Sequence, residues 1–295
     1  MQKIKYIPPW GTEEDTDTHV TLALAPPYII GSPTGLSGLP ATILSTIAPG
    51  LDGSIVNNIR LEDREIKTFI HIEGTSRQDM YTKRLELIDR LMPKRSKDFN
   101  GPGTLYYTND AGTYRIGAIP VNSPEPTGRI RNYNRCEIVF RCPNPYWSGT
   151  SQYEHPIWVN QGGLTLPFTL PFRLGTIDTH TEIDNHSRLY SPVRITVHGA
   201  FHNLTIVNET TREVITTQKL IEDHVVLTIN TTDGAKSVIA QNEESGTSGN
   251  GWQYISPAFT SFKLRPGLNH LSVYGIGYSA NSAVSIQWAD TYGGV

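Results

Sequence analysis

Four histidines in the second half of the chain could bind a metal: His180 with His186, and His198 with His202. A metal site needs imidazole, thiolate or carboxylate ligands brought to one centre at a fixed spacing. His198 and His202 bracket Gly199-Ala200, which reads as a turn. The pair therefore does not share a helix face, and no cysteine or acid stands at a matching interval. Asp178, Glu182 and Asp184 form a second cluster. Two such carboxylates could act as acid and base in glycoside cleavage, but the segment reads as a solvated acidic loop. The chain has no Gly-x-Ser-x-Gly elbow, no Walker loop and no Gly-x-Gly-x-x-Gly opening a helix. SGTSGNG at 245–251 lacks a lysine and a following helix, and reads as a flexible loop rather than a phosphate cradle. No catalytic, cofactor-binding or metal-ligating residue is assigned, no cofactor is expected, and the chain does not read as an enzyme.

Two further groups have binding chemistry. Lys94, Arg95 and Lys97 follow a helix, and Arg129, Arg131, Arg135 and Arg141 lie near a strand. They read as a solvated face or subunit contact, because acids are interleaved and the net charge is −3. Trp147, Trp158, Trp252 and Trp288, with Tyr254 and Tyr274, could stack on sugars, though such residues more often fill cores and interfaces. They leave a carbohydrate-binding module in host cell-surface recognition as the alternative function.

The elements that would position these residues are mostly strands. Arg64–Glu73 alternates, with Ile66, Thr68, Ile70 and Ile72 on one side. A single amphipathic helix follows, capped by Thr75 or Ser76 with Asp79 as capping-box partner. Its apolar stripe reads as Tyr81, Leu85, Ile88 and Leu91/Met92, with Arg84 on the outer face, and Pro93 ends it. Strands are expected at 104–108, 114–120 and 131–141, with a turn at Ser123-Pro-Glu-Pro126. The first eighteen residues read as a loose arm, 20–24 as a short strand, 26–40 as a long Pro/Gly loop packed on a partner, and 48–53 as a turn. The stretch 148–161 is polar and aperiodic, marking a joint between two β-rich halves. Beyond it Leu164, Leu166, Phe168, Leu170, Phe172 and Leu174 form a period-two row, with Pro167 and Pro171 on the other parity as at a free sheet edge. Eight more short strands follow, at 193–197, 204–208, 213–217, 224–230, 236–239, 261–264, 269–274 and 283–288. That spacing predicts a β-sandwich.

Composition agrees: 26 glycines and 20 prolines among 295 residues suit short strands and tight turns. Up to residue 150 there are 17 basic and 16 acidic residues, beyond it 8 and 12, an asymmetry too mild to name a partner. Cys136 and Cys142 share a strand parity six residues apart. At about 3.3 Å per residue they lie roughly 20 Å apart, beyond disulfide reach, so free thiols and a reducing compartment are expected. Lys3 and Lys5 lead into Ile7-Pro8-Pro9 rather than a secretory apolar segment, and no run approaches the roughly 20 residues of a membrane helix. The Asn-x-Ser/Thr sequons at Asn185, Asn203, Asn208 and Asn230 then read as polar turns.

The order of motifs resembles one family. APGLDG at 48–53, REIKTFIHIEG at 64–74, RLELIDRLMPK at 84–94, GTLYYTND at 103–110 and VFRCPNPYW at 139–147 carry the first half. LPFTLPF at 166–172, SPVRITVHG at 191–199, NLTIVNETTREVI at 203–215, HVVLTINTTDGAKSV at 224–238 and FKLRPGLNHLSV at 262–273 carry the second. In this series the chain resembles the distal tail proteins of siphophages. The resemblance implies a mainly β protein of two domains. Residues 1–147 would be a ring-forming, β-barrel-like sheet domain with one helix, and 148–295 a galectin-like β-sandwich. It implies a structural role: a homohexameric ring joining the tail tube to the tail-tip or baseplate and its receptor-binding proteins. Implied partners are the chain itself, the tail tube protein, a tail-associated lysin-like hub protein and receptor-binding or baseplate proteins. DNA would pass through the lumen unread, and no membrane would be entered. The implied location is the virion tail tip, after assembly in the host bacterial cytoplasm.

Overall fold

The computed structural model describes residues 2–50, 52–92, 101–122, 124–130, 133–159, 177–259, 261–277, 279 and 281–295. The chain forms two compact units, residues 1–150 with 292–295, and residues 151–291. The described residues are mainly β, with one α-helix.

The first unit contains β1 (Lys3–Ile7), β2 (Val20–Leu22), β3 (Tyr28–Ile30), β4 (Ala41–Thr46), β5 (Ile55–Leu61), β6 (Arg64–Glu73), α1 (Arg77–Leu91), β7 (Gly103–Asn109), β8 (Gly112–Pro120), β9 (Glu125–Ile130), β10 (Tyr133–Cys142) and the start of β11 (Trp147–Val159). Hydrogen bonding orders the sheet β2-β1-β7-β8-β10-β6-β3. Ala23, just past β2, bridges Ile29 of β3, so the strand order closes on itself as in a barrel. Period-two patterning fills the interior. Ile66, Thr68, Ile70 and Ile72 of β6 are all buried, as their alternation predicts, and face Cys136, Ile138 and Phe140 of β10.

Two readings of this half need correction. The first residues are a strand, not a loose arm: β1 pairs with β2 and β7, and Ile4 and Tyr6 are buried. The Pro/Gly loop contains β3, paired with β6. Here Gly35 must be glycine, because its φ is +82° and a Cβ would meet the Glu65 carbonyl oxygen at 1.9 Å.

The helix lies where its cap predicts. Ser76 Oγ accepts the Asp79 amide at 3.1 Å, and the Asp79 carboxylate reaches back to accept the amide of Thr75, one residue before the cap, at 2.7 Å, a capping-box-like pair. Met92, which precedes Pro93, is extended at the C-cap. The buried stripe, however, is Met80, Leu87 and Leu91, while Leu85 and Met92 are exposed. The predicted stripe is rotated about one position because it begins at Tyr81 instead of Met80. Arg84, predicted outside, is only partly exposed, and its Nε is buried.

The second unit begins along β11 and contains β12 (Ile177–Asn185), β13 (Ser191–His198), β14 (His202–Asn208), β15 (Glu213–Thr216), β16 (Val225–Asn230), β17 (Ser237–Asn242), β18 (Ser248–Asn250), β19 (Lys263–Leu264), β20 (Gly267–Ile276) and β21 (Ala283–Tyr292). One sheet runs β18-β17-β16-β13-β21-β11 and another β12-β20-β14-β15. Val193, Ile195, Val197, Leu227, Ile229, Val284 and Ile286 of the first share one core with Ile183, Leu204, Ile206, Ile215, Leu271 and Val273 of the second. That is a β-sandwich, and the eight predicted strands are present.

Three further corrections belong here. The polar stretch after Trp147 is not irregular but the thirteen-residue strand β11, and the boundary between the two units falls within it, as its place between the halves predicts. The acidic segment at 177–185 is β12, which pairs with β20 along its full length. Residues 248–250, taken for a flexible loop, form the short edge strand β18. The period-two row from Leu164 to Leu174, with Pro167 and Pro171, lies outside the described residues.

Candidate functional site

Several histidines and acids of the second unit meet in pairs at open positions on strands and their ends. Glu182 Oε1 lies 3.4 Å from His270 Nδ1 across β12 and β20, and Asp184 Oδ2 lies 3.6 Å from His186 Nδ1. His198 stands 3.9 Å from Glu243, and His224 3.0 Å from Glu222. His202 is exposed at the start of β14, and Gly199 turns with φ +79° as its position between the two histidines predicts. Among the described residues no three His, Cys, Asp or Glu side chains gather as metal ligands. The side chain of Asp178 lies outside the described residues.

One constellation was missed in the sequence. His180 Nδ1 meets Ser272 Oγ at 2.6 Å, and that hydroxyl donates to the Glu209 carboxylate. Glu209 also lies 3.6 Å from the same Nδ1. A nucleophilic triad needs the acid on one ring nitrogen and the hydroxyl on the other. Here both meet Nδ1, and Ser272 is fully buried beneath them. The group ties β12, β20 and the end of β14 together. No sequence motif marks it, because its members are 29 and 63 residues apart along the chain.

The aromatics are dispersed. Trp147 is fully buried, and its indole donates to the Leu36 carbonyl at 3.2 Å. Trp158 packs edge-on to Phe201, and Trp288 stacks on Tyr153. Tyr274 meets His180 edge-on, Tyr254 packs against the sandwich core, and Trp252 is exposed beside Phe259. Of the basic residues, Arg135 lies over the Phe69 ring at 4.2 Å and Arg141 pairs with Asp63. Lys94, Arg95, Lys97 and Arg131, and the side chain of Arg129, lie outside the described residues.

The first unit holds a buried cation. Arg64 lies on β6 with its guanidinium donating to the carbonyls of Pro145 (2.9 Å), Gly35 (2.6 Å), Leu36 (2.9 Å) and Gly293 (2.5 Å). Burial lowers its pKa from the ordinary value, and the four carbonyl dipoles replace the water it has lost. Beside it opens a cleft of about 570 Å³ lined by Gly35, Gly38, Asp63, Glu65 and Lys67, among others. Its charges are already matched, Lys67 with Glu65 at 3.0 Å and Asp63 with Arg141. Both cysteines are free and buried, as predicted; burial pushes the Cys136 thiol up to about 11 and Cys142 to about 12. Such thiols are poor nucleophiles at neutral pH.

What remains is the β4–β5 hairpin. It pairs with no other strand among the described residues, and all thirteen of its strand residues are exposed. A residue is added to β5 opposite the Leu44–Ser45 step, so the register aligns Ala41 with Leu61, Ile43 with Ile59 and Ser45 with Val56 on one face. Thr42 with Arg60, Leu44 with Asn58 and Thr46 with Ile55 make the other. One face is therefore predominantly aliphatic and the other mixed. Ile43 and Ile59 are each 60% exposed. Alternation in ATILST hints at this strand, but the extra residue breaks the pattern in IVNNIRL.

No protein-family model and no curated relative matches the sequence. Solved structures do. The SPP1 Dit (gp 19.1) protein, described as a paradigm of hub adsorption apparatus in phages infecting Gram-positive hosts, aligns over 99% of both chains, with TM-score 0.63 and 9% identity. A chain of the phage P2 baseplate, in its activated conformation with Ca, aligns over 100% of this chain and 99% of that one, with TM-score 0.57 and 11% identity. The same baseplate with Sr gives equal values. Across its whole length, this chain has the fold of the SPP1 hub protein.

Proposed function

We propose that this protein is a structural component of a siphophage tail tip, a distal tail protein that builds a connector and performs no chemistry. The observation that carries the reading is the end-to-end fold likeness to a phage hub protein and a baseplate chain. In this reading copies of the chain close a ring, a hexamer, around the tail lumen. One side meets the tail tube and the other the lysin-like hub and receptor-binding proteins. Closing a ring needs a head-to-tail contact, in which each copy presents two different surfaces.

The test is the mass of the purified chain. Mass photometry should give a multiple of 32.8 kDa, six for the hexamer, and negative-stain averages should show rotational symmetry around a hole. A monomer at micromolar concentration, both alone and with tail-tube and hub proteins, overturns the reading.

The exposure of Trp252 favours a second role for the sandwich unit, binding host carbohydrate. Titration with cell-wall polysaccharide should show binding that Trp252→Ala abolishes; a flat titration removes this role.

A further inference from the structure

We infer that a polar pair beneath α1 is a binding site for one ordered water, shared between Asn134 of β10 and Arg84 of the helix. The inference goes beyond the connector reading and does not depend on it.

Three strands set one row under the helix. Asn134 lies directly opposite Ile72 of β6, and Ile72 lies directly opposite Tyr28 of β3. That row meets α1 at one turn, because the Tyr28 hydroxyl donates to the Lys83 carbonyl at 2.8 Å. Arg84 is the next residue. It continues the buried stripe of the helix, four positions after Met80 and three before Leu87. Cys136 stands two residues beyond Asn134 on the same inward parity of β10. Burial raises the pKa of its thiol, and the nearby Arg84 cation pulls against that rise. The helix turn that carries Arg84 therefore lies over the part of β10 that carries Asn134, where α1 packs on β6 and β10.

This pair breaks the rule that buried polar atoms are matched. Asn134 is 0% exposed, yet among the described residues neither its amide nitrogen nor its amide oxygen has a hydrogen-bond partner. Arg84 Nε is buried in the same condition. A side-chain amide brings two N–H donors and an oxygen with two lone pairs. Folded chains meet such demands with protein groups or with buried water.

The mixture of donors and acceptor selects the occupant. Arg84 Nε and Asn134 Nδ2 each need an acceptor, whereas Asn134 Oδ1 needs a donor. A small anion would serve both donors and leave the amide oxygen facing negative charge. A cation would be repelled by the guanidinium. A direct bond from Arg84 Nε to Asn134 Oδ1 would leave the amide nitrogen dry. Water both donates and accepts, so it alone satisfies all three kinds of demand. Arg84 is only partly buried, which gives the molecule a route in from the helix flank.

A high-resolution crystal structure of the full chain tests the site. It should show a water within about 3.2 Å of both Arg84 Nε and an amide atom of Asn134. A dry site, or a direct Arg84–Asn134 hydrogen bond in its place, overturns the inference. So does an anomalous peak there after soaking in bromide, because the occupant would then be an anion. A double-mutant cycle checks the sharing in solution. Asn134→Leu and Arg84→Met should each lower the melting temperature by about 3 °C. The double variant should fall hardly further than either single one, because each change already disrupts the shared water. Additive losses would mean that the two side chains hold no common ligand. If either variant fails to fold, the wild-type crystal decides alone.

Discussion

Ile195 and Ile43 occupy the same kind of position. Ile195 on β13 lies directly opposite Ile229 and Ile286 on its two neighbours, and all three are completely buried. Ile43 on β4 lies directly opposite Ile59, and both are largely exposed. Cross-strand isoleucine pairing is equal in the two places; what differs is what covers the face. In the sandwich the opposing sheet belongs to the same chain, whereas the described residues supply no cover for the hairpin. Apolar pairing therefore fixes register in both regions, but marks a core in one and an exposed face among the described residues in the other.

The most severe test of this contrast is a group whose partners are all internal. Arg64→Ala orphans four carbonyls in the first unit, and at about 1–3 kcal/mol per unsatisfied buried group should cost roughly 4 kcal/mol in urea unfolding. A loss below about 1 kcal/mol would mean that water replaces the guanidinium freely. Next, Ile195→Ala should cost about 3 kcal/mol, whereas Ile43→Ala should change single-chain stability by less than about 0.5 kcal/mol. Equal losses would break the comparison, because the hairpin would then be packed in the lone chain. Smaller still, Ser76→Ala removes the cap of α1 and should cost about 1 kcal/mol by thermal melting.

A pH series sharpens the same point with a charge. Lys83 and the Thr75 amide hold the Asp79 carboxyl below its ordinary 3.8. A depressed folded pKa means that the stabilisation is complete above that ordinary value and is lost as pH falls through the folded one. Asp79→Asn should therefore melt earlier than the wild type at pH 7, and the gap should close as the pH falls through the lowered pKa of Asp79. A gap that is constant with pH would assign the effect to the helix terminus alone. By thiol assay, Cys136 and Cys142 should react only after unfolding, two per chain.

Much of the fold was legible in the sequence because period-two alternation and cap chemistry are local. β6, β10 and the sandwich strands follow from their alternating residues, and α1 from Ser76 and Asp79. Register and closure are not local. β1 was unreadable because its burial depends on β7, a hundred residues away, and β12 because Glu182 and Asp184 face outward while Ile183 carries the inward parity. The helix stripe slipped because Arg84 falls on the inner side, where a charge is not expected. The β4–β5 hairpin was the least legible part. An aliphatic strand reads the same whether its cover lies in its own chain or in another, and an added residue in β5 hid even the alternation.

The Arg64 clasp has a bearing on how the polypeptide is made. Three of its four carbonyls come from residues 35, 36 and 145, but the fourth is Gly293, and Leu36 also accepts the amide of Val295. The intervening residues 151–291 form the whole second unit. On the ribosome, the barrel must therefore wait, its cation only partly satisfied, until some 140 further residues have been translated. A prematurely terminated product would leave that knot untied. Final stabilisation of the barrel thus waits on residues that follow the second unit in the chain.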